Sequence, residues 1–501
     1  MTLLIRGGQI LAGTPAALTR SDVLVEGDRI AAVGPSVTAP AGARTIDASG
    51  HIVLPGLGNA HTHASSHLAR GRAGSWTLED LLTHSAANYG FRTPEDEYLS
   101  AAVGAIEMLK TGCTAAYDLY MAVPAITDEA FEAVVRAYTD VGLRVVLAPA
   151  VADVIFYETV SGLADQLPAD LRKSVKEMQP APTKGLLGLT ERAIRRWHGG
   201  ADGRVRIGVA PTIPNQATDE FLDGCAALAR EYGVGIHTHL AESKVQVIES
   251  RRRWGKSIVA RLADHSILGP GFVGAHSIWL TDDDLQRLAD AGAAVAHNPG
   301  SNLRLGCGIA PVREMLDCGV AVGLGTDGSV CADNQNLFEA LRIASVISTV
   351  RFPHETQRWL DADTVWSLAT SGTARVLGQA GDLGAIAPRR KADLVLLRAD
   401  SVFMRPLADP IKALVYAETG AAVDTVLVDG HVVVEGGRVT TVDEDRIFAR
   451  AQEAADRQRG KSAQAWALAE RLAPYVAAAC RSAVTTPLPI NRFAAAVPPS
   501  A

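Results

Sequence analysis

The chain has 501 residues, 48% of them hydrophobic and 21% charged, with 46 glycines that follow no collagen period. That much apolar chain can bury a large core spread over roughly two to three domains, and it excludes a disordered or fibrous protein. With 48 Lys+Arg against 55 Asp+Glu the net charge is −7, which argues against nucleic acid or an anionic membrane as the partner.

In chain order, residues 2–58 come first: LLIRGGQIL, SDVLVEGDRIAAVG and ARTIDASGHIVLPG. Apolar alternation broken by Gly- and Asp-rich turns predicts β-hairpins there. The opening MTLLIRGGQILAG has an early Arg, a Gly pair and no continuous apolar run, so it is not read as a signal peptide. From 59 to 379 apolar strands alternate with amphipathic helices. Eight strands are expected, at 58–63, 113–120, 144–151, 204–212, 233–241, 272–278, 293–299 and 321–328. Between the first two, Thr93-Pro94-Glu95-Asp96 reads as an N-cap, a Pro at N1 and an acid at N3, opening a helix that runs to Lys110. The stretch between Val151 and Arg204 is too long for a βα connection and is expected to serve as a lid or pocket wall, the alternative being a surface helix pair with no role at the site. Hairpin texture returns in ADLVLLRAD and DTVLVDGHVVVEGGRV, followed by an Ala- and Arg-rich helical stretch at 442–482 and an irregular tail, TTPLPINRFAAAVPPSA.

These elements predict an α/β protein. A (β/α)8 TIM-like barrel at 59–379 would carry a small flanking β-sandwich built from 1–58 and 380–441, with a helical C-terminal extension and tail at 442–501. Cys113, Cys225, Cys307, Cys318, Cys331 and Cys480 form no CxxC pair, which suits reduced thiols in a cytoplasm rather than a disulfide framework. No run of about 18 apolar residues offers a membrane span.

The informative residues lie where strands end. His61 and His63 stand at i and i+2, so a strand places both on one face, which in a barrel is the interior. His237 and His239 repeat the spacing and Glu242 follows; His276, His297 and Asp327 end later strands. One such pair is weak, since 13 histidines in 501 residues give roughly 0.3 by chance. The combination is stronger: several imidazoles and two carboxylates at one end of one barrel are costly to bury unless a divalent cation gathers them. Three His and an Asp suit zinc or ferrous iron. His237 reads as a supporting or structural residue, and His297 as a hydrogen-bonded core or rim residue.

The motifs PGLGNAHTH, HTHLAE, GAHSIWL, HNPGSNLRLGCGIAP and GLGTDG resemble those of the amidohydrolase superfamily over about residues 2–440, with KADLVLL and VLVDGHVV resembling its flanking β domain. More narrowly the chain looks like the cytosine/guanine/adenosine-type aminohydrolases and the triazine hydrolases. The resemblance implies His61, His63, His239 and Asp327 as metal ligands, and Glu242, His276 and Asp327 as catalytic residues. Binuclear members bridge two metals with a carboxylated Lys at the end of strand 4 or 3. Here those strands end APTIPN and APAVAD, so one metal is expected, Zn2+ first and Fe2+ second.

The chemistry then expected is hydrolytic deamination of an aminated nitrogen heterocycle (purine, pterin, pyrimidine or triazine), with ammonia released. A zinc-bound water ionises near pH 7 rather than 15.7. Asp327 would take its proton, His276 would hold the hydroxide, and Glu242 would protonate a ring nitrogen. Hydrolysis of a carbon–halogen, amide or urea bond at the same site is the alternative, and a non-catalytic binding protein on this scaffold a remote one. Trp76, Tyr120, Phe156, Tyr157, Trp279, Asn302 and Arg304 are candidate substrate contacts because they fall near strand ends or in their loops. The expected partners are a small heterocycle, water and a second copy of the chain in a homodimer.

Overall fold

The computed structural model describes residues 2–13 and 17–493. Eight parallel strand segments form around one axis: Leu57–Thr62, Cys113–Tyr120, Arg144–Val151, a split fourth strand (Val205–Ile207 and Ala210–Pro211), Ile236–Leu240, Phe272–His276, Ala294–His297 and Ala321–Leu324. We refer to them as barrel strands 1 to 8. Strands 1–4 pair in one sheet and strands 5–8 in another. The seam between 4 and 5 is closed by the Val209–Ile236 bridge and by His239 N–H donating to Thr212 O at 3.0 Å. Strands 8 and 1 are joined where Asp327 N–H donates to His61 O at 2.8 Å. Gly325 makes that approach possible, because a Cβ there would lie 2.4 Å from Asn298 Oδ1 and 2.8 Å from His61 N.

The barrel strands are buried along almost their whole length, as parallel strands covered by helices must be. The helix after strand 1 runs Pro94–Lys110, with the reciprocal Thr93/Asp96 capping box that its sequence predicts. Helix Thr183–Trp197 packs on strands 3 and 4 as an ordinary barrel helix. Only residues 152–182 are therefore an insertion, 31 of the 52 residues the sequence marks out.

The two chain ends meet in a nine-stranded mixed sheet. Its central strand Thr2–Ala12 pairs with Ala17–Glu26, Arg44–Asp47 and His51–Pro55; the last of these pairs with Leu394–Arg398, which continues into Val423–Val428 and His431–Glu435. The sheet curls over its own apolar core of Leu3, Ile5, Ile10, Val23, Val25, Val53, Leu394, Leu396 and Leu427. It is tied to the base of the barrel by Arg144 of strand 3, which is 1% exposed and held by Asp393 at 3.0 Å and by Asp429. Burying those charges is tolerable only because they are paired.

The C-terminal segment crosses to the opposite end of the barrel. Helices Glu444–Lys461 and Ala463–Thr485 lead onto the face where the strands end. Apolar residues at Leu472, Val476, Ala479, Cys480 and Ala483 seat the second helix against Val245 and Ile248 of helix Lys244–Trp254 and against Leu163 of the insertion. The expected irregular tail is irregular but anchored as far as Phe493. Arg492 is 6% exposed; it donates to Ile278 O (3.1 Å) and Leu280 O (2.6 Å), and its own carbonyl accepts from Ile309 N–H at 2.8 Å. Residues 494–501 of that tail lie outside the described residues. Among the described residues, no helix is long and apolar enough to cross a membrane.

Candidate metal centre and active site

Strand alternation turns His61 and His63 inward, and strands 5, 6 and 8 bring His239, His276 and Asp327 to the same space. Two groups of donor atoms are close enough to share a cation, His61/His63/His239 and His61/His276/Asp327, and all these residues are buried. Asp327 Oδ1 lies 3.2 Å from His63 Nε2 and 3.7 Å from His61 Nε2; Oδ2 lies 3.7 Å from His276 Nε2. Ala241, His276, Ser277 and Asp327 all have positive φ, of 47°, 66°, 50° and 66°. Left-handed backbone costs non-glycine residues free energy and persists only where the surroundings impose it, as at functional sites.

The hydrogen bonds at the back of the rings show what the front requires. His63 Nδ1 donates to Leu119 O at 2.7 Å and His239 Nδ1 donates to Thr212 O at 2.6 Å. Each Nε2 then faces the cluster 3.2 Å from the other, and Asp327, 3.2 Å from His63 Nε2, raises the His63 pKa despite its burial, so the pair calls for a proton or a metal ion between them. Two facing lone pairs repel; a cation between them turns the repulsion into coordination. His61 supports this, since neither ring nitrogen has a partner among the described residues. Burial, together with His63, holds the His61 imidazole well below its usual pKa, and burial with the neighbouring His63 and His276 pushes His239 down to about 3. Both are therefore kept in the neutral form that a metal binds. The residues present fit a divalent cation.

Glu242 faces this cluster from the end of strand 5. It is 2% exposed and its Oε2 has no partner. Burial, with Asp327 and Glu79 nearby, raises its carboxyl well above the usual carboxylate range, so it stands ready as a proton donor. Its backbone N–H donates to Gln246 Oε1 at 2.9 Å, which fixes the turn. His276 is held from behind by Asn302, whose Oδ1 accepts from Nδ1 at 2.8 Å; Nε2 is left facing the cluster as an acceptor.

His237 lies one layer deeper, its ring against His61 and edge-on to Tyr117 at 4.4 Å. It belongs to neither donor group. His297 is 2% exposed and held neutral by burial and by His276, with its pKa pushed down to about 3.

A cavity of about 940 Å³ opens above the cluster, with His63, His239, Glu242 and Asp327 in its lining. Phe156 and Tyr157 of the insertion line it, as expected. Five other candidate contacts do not. Trp76 stacks on His84 at 4.3 Å and leans on Trp466. Tyr120 is fully buried behind the strand against Phe131. Trp279 is 1% exposed and donates from Nε1 to Cys307 O. Arg304 pairs with Asp333 at 3.2 Å and with the carbonyls of Ala73 and Gly74. Asn302 is spent on His276. Each lies near the site in sequence but points away from the cavity or holds one of its residues.

What sequence reasoning missed is the far wall. Ala465, Leu468, Ala469 and Leu472 of the C-terminal helix line the cavity. Their i, i+3, i+4, i+7 spacing is legible, but nothing local says which surface such a stripe covers.

The Amidohydrolase family model matches residues 52–433. The chain belongs to the amidohydrolase family. It is 37% identical over 463 residues to a 5-methylthioadenosine/S-adenosylhomocysteine deaminase of Symbiobacterium thermophilum, covering 91% of this chain and 98% of that one. It is 34% identical to a 5'-deoxyadenosine deaminase of Methanothermobacter thermautotrophicus, with the same coverage. Among solved structures it resembles the zinc complex of an atrazine chlorohydrolase from Arthrobacter aurescens TC1, with a TM-score of 0.82, 30% identity, and coverage of 90% of this chain and 100% of that one. This amidohydrolase is a metal-dependent hydrolase acting on carbon–nitrogen bonds outside peptides, and its reaction is the hydrolytic deamination of an aminated nitrogen heterocycle.

The insertion should tune binding more than chemistry in this enzyme. Phe156→Ala is expected to raise KM several-fold while kcat, metal content and Tm change little, because the ring is half-buried at the cavity wall. A collapsed Tm with unchanged KM in the folded fraction would make Phe156 an ordinary packing residue.

Proposed function

We propose that this amidohydrolase deaminates the adenine ring of a nucleoside carrying a 5′ substituent, using one zinc ion held by His61, His63, His239 and Asp327. The observation that carries the substrate is the cavity. At about 940 Å³ it is near the upper end of ligand pockets, roughly 300–1,000 Å³, and so suits a ring with a sizeable appendage rather than a lone heterocycle. The relatives' names point the same way. A single ion is supported by the ends of strands 3 and 4, which offer no lysine; Lys173, Lys176 and Lys184 are exposed elsewhere.

The cation, when bound, supplies the Lewis acidity that makes a nucleophile of water at neutral pH. The rest falls to the side chains. Asp327 points Oδ1 at His61 and His63 and leaves Oδ2 on the His276 side, where it accepts the proton released by water. His276 Nε2, aimed by Asn302, orients the attacking oxygen by accepting its hydrogen bond. Glu242, protonated in its buried position, gives a proton to the adenine ring nitrogen beside the attacked carbon, so charge does not build up on the ring. The amino group leaves as ammonia after taking a proton.

The six cysteines are all free, which supports a reducing, cytoplasmic setting. Ammonia release from a panel of 5′-substituted adenosines, cytosine, guanine and aminotriazines tests the assignment. Adenine nucleosides are expected to be the best substrates by kcat/KM. A triazine or a free base turned over faster than every nucleoside would overturn it.

A further inference from the structure

We infer that the far half of the cavity selects an uncharged 5′ substituent over a net-anionic one, a carboxylate or a phosphate. The inference rests on the adenine-nucleoside reading above and narrows it. Beyond the His–Asp floor, the walls converge from several elements and end in apolar side chains: Leu82, Phe156, Met178, Leu468, Leu472 and Phe91. Phe91 is half exposed and has a φ of 64°, an unusual conformation for an aromatic residue.

The charges on the lining are the second observation. Apart from the metal-site histidines, Arg92 is the only cationic side chain among the described lining residues, and it is committed. Its guanidinium donates to Ser65 O and, at 2.7 Å, to Asn88 O; it lies 3.5 Å from Glu97, and its side chain is 1% exposed. The acids on the lining are Glu97, Glu177, Glu242 and Asp327, with Glu177 exposed. Residues 1, 14–16 and 494–501, outside the described set, contain no Lys or Arg.

An anionic arm would thus meet no uncommitted cation among the described lining residues, and the exposed Glu177 carboxylate shares that lining. An unpaired buried charge is among the most expensive things a site can hold. A 5′-deoxy or alkyl-thioether arm loses nothing on entering and gains from burial against Leu468 and Leu472.

The test is kcat/KM of the zinc-loaded enzyme, by ammonia release, on 5′-methylthioadenosine, adenosine 5′-carboxylate and adenosine 5′-monophosphate. The thioether is expected to exceed both charged substrates on the order of 100-fold, chiefly through KM. A Leu468→Arg variant that keeps its metal and its melting temperature should narrow that gap by at least about tenfold, since it places a cation on the wall. If the wild-type enzyme takes the carboxylate or the monophosphate as well as the thioether, the inference fails and the nucleoside deaminase reading survives. Ammonia from none of the three overturns both.

Discussion

Glu242→Gln is expected to lower kcat on an adenine nucleoside by about 10²–10⁴-fold, the range that a positioned general acid contributes, while metal content and Tm stay as in the wild type. The substitution keeps the shape of the side chain and its place beside the cluster. It removes a carboxyl that burial and its acidic neighbours raise well above the usual carboxylate range. Amide N–H cannot be transferred to a ring nitrogen, so the effect should appear in kcat rather than KM. Near-normal kcat in the variant would mean that ring protonation comes from elsewhere, and would favour a leaving group that needs none.

His239→Ala is expected to abolish tight metal binding and, with it, measurable turnover. The ring supplies one donor of the His61/His63/His239 group, and Thr212 O has already fixed which nitrogen faces inward. The stability signature is more diagnostic than the activity loss. A chelator should lower the Tm of the wild type and leave that of the variant where it was. A variant that still carried about one equivalent of zinc by elemental analysis would remove His239 from the ligand set.

The barrel was legible because its signals are local and repeated. Its strands are short apolar runs, some ending in a polar residue such as His276 or His297, and caps such as Thr93/Asp96 mark helix starts within a few residues. The donor cluster was legible because the period of a strand decides which face His61 and His63 share. The supports of the cluster were not. Leu119 O and Thr212 O, which fix the tautomers, are backbone atoms and leave no mark in composition. Asn302 carries a mark, but its nearness to the strand end suggests a substrate contact, whereas its side chain is turned back onto His276. Trp279 and Arg304 mislead for a related reason: sequence distance from a strand end says nothing about side-chain direction. Leu468 and Leu472 lie more than 100 residues beyond the last barrel strand, and only the packed chain brings them to the cavity.

Arg492 holds the carbonyls just beyond the turn that carries His276, and its own carbonyl receives Ile309 N–H from the loop after strand 7. The chain is made from the other end. When a ribosome has delivered every strand of the barrel and every donor of the cluster, this clasp is still to be synthesised. A product that stops short of residue 492 would therefore carry the donor cluster of His61, His63, His239, His276 and Asp327 without this clasp on the turn beyond His276.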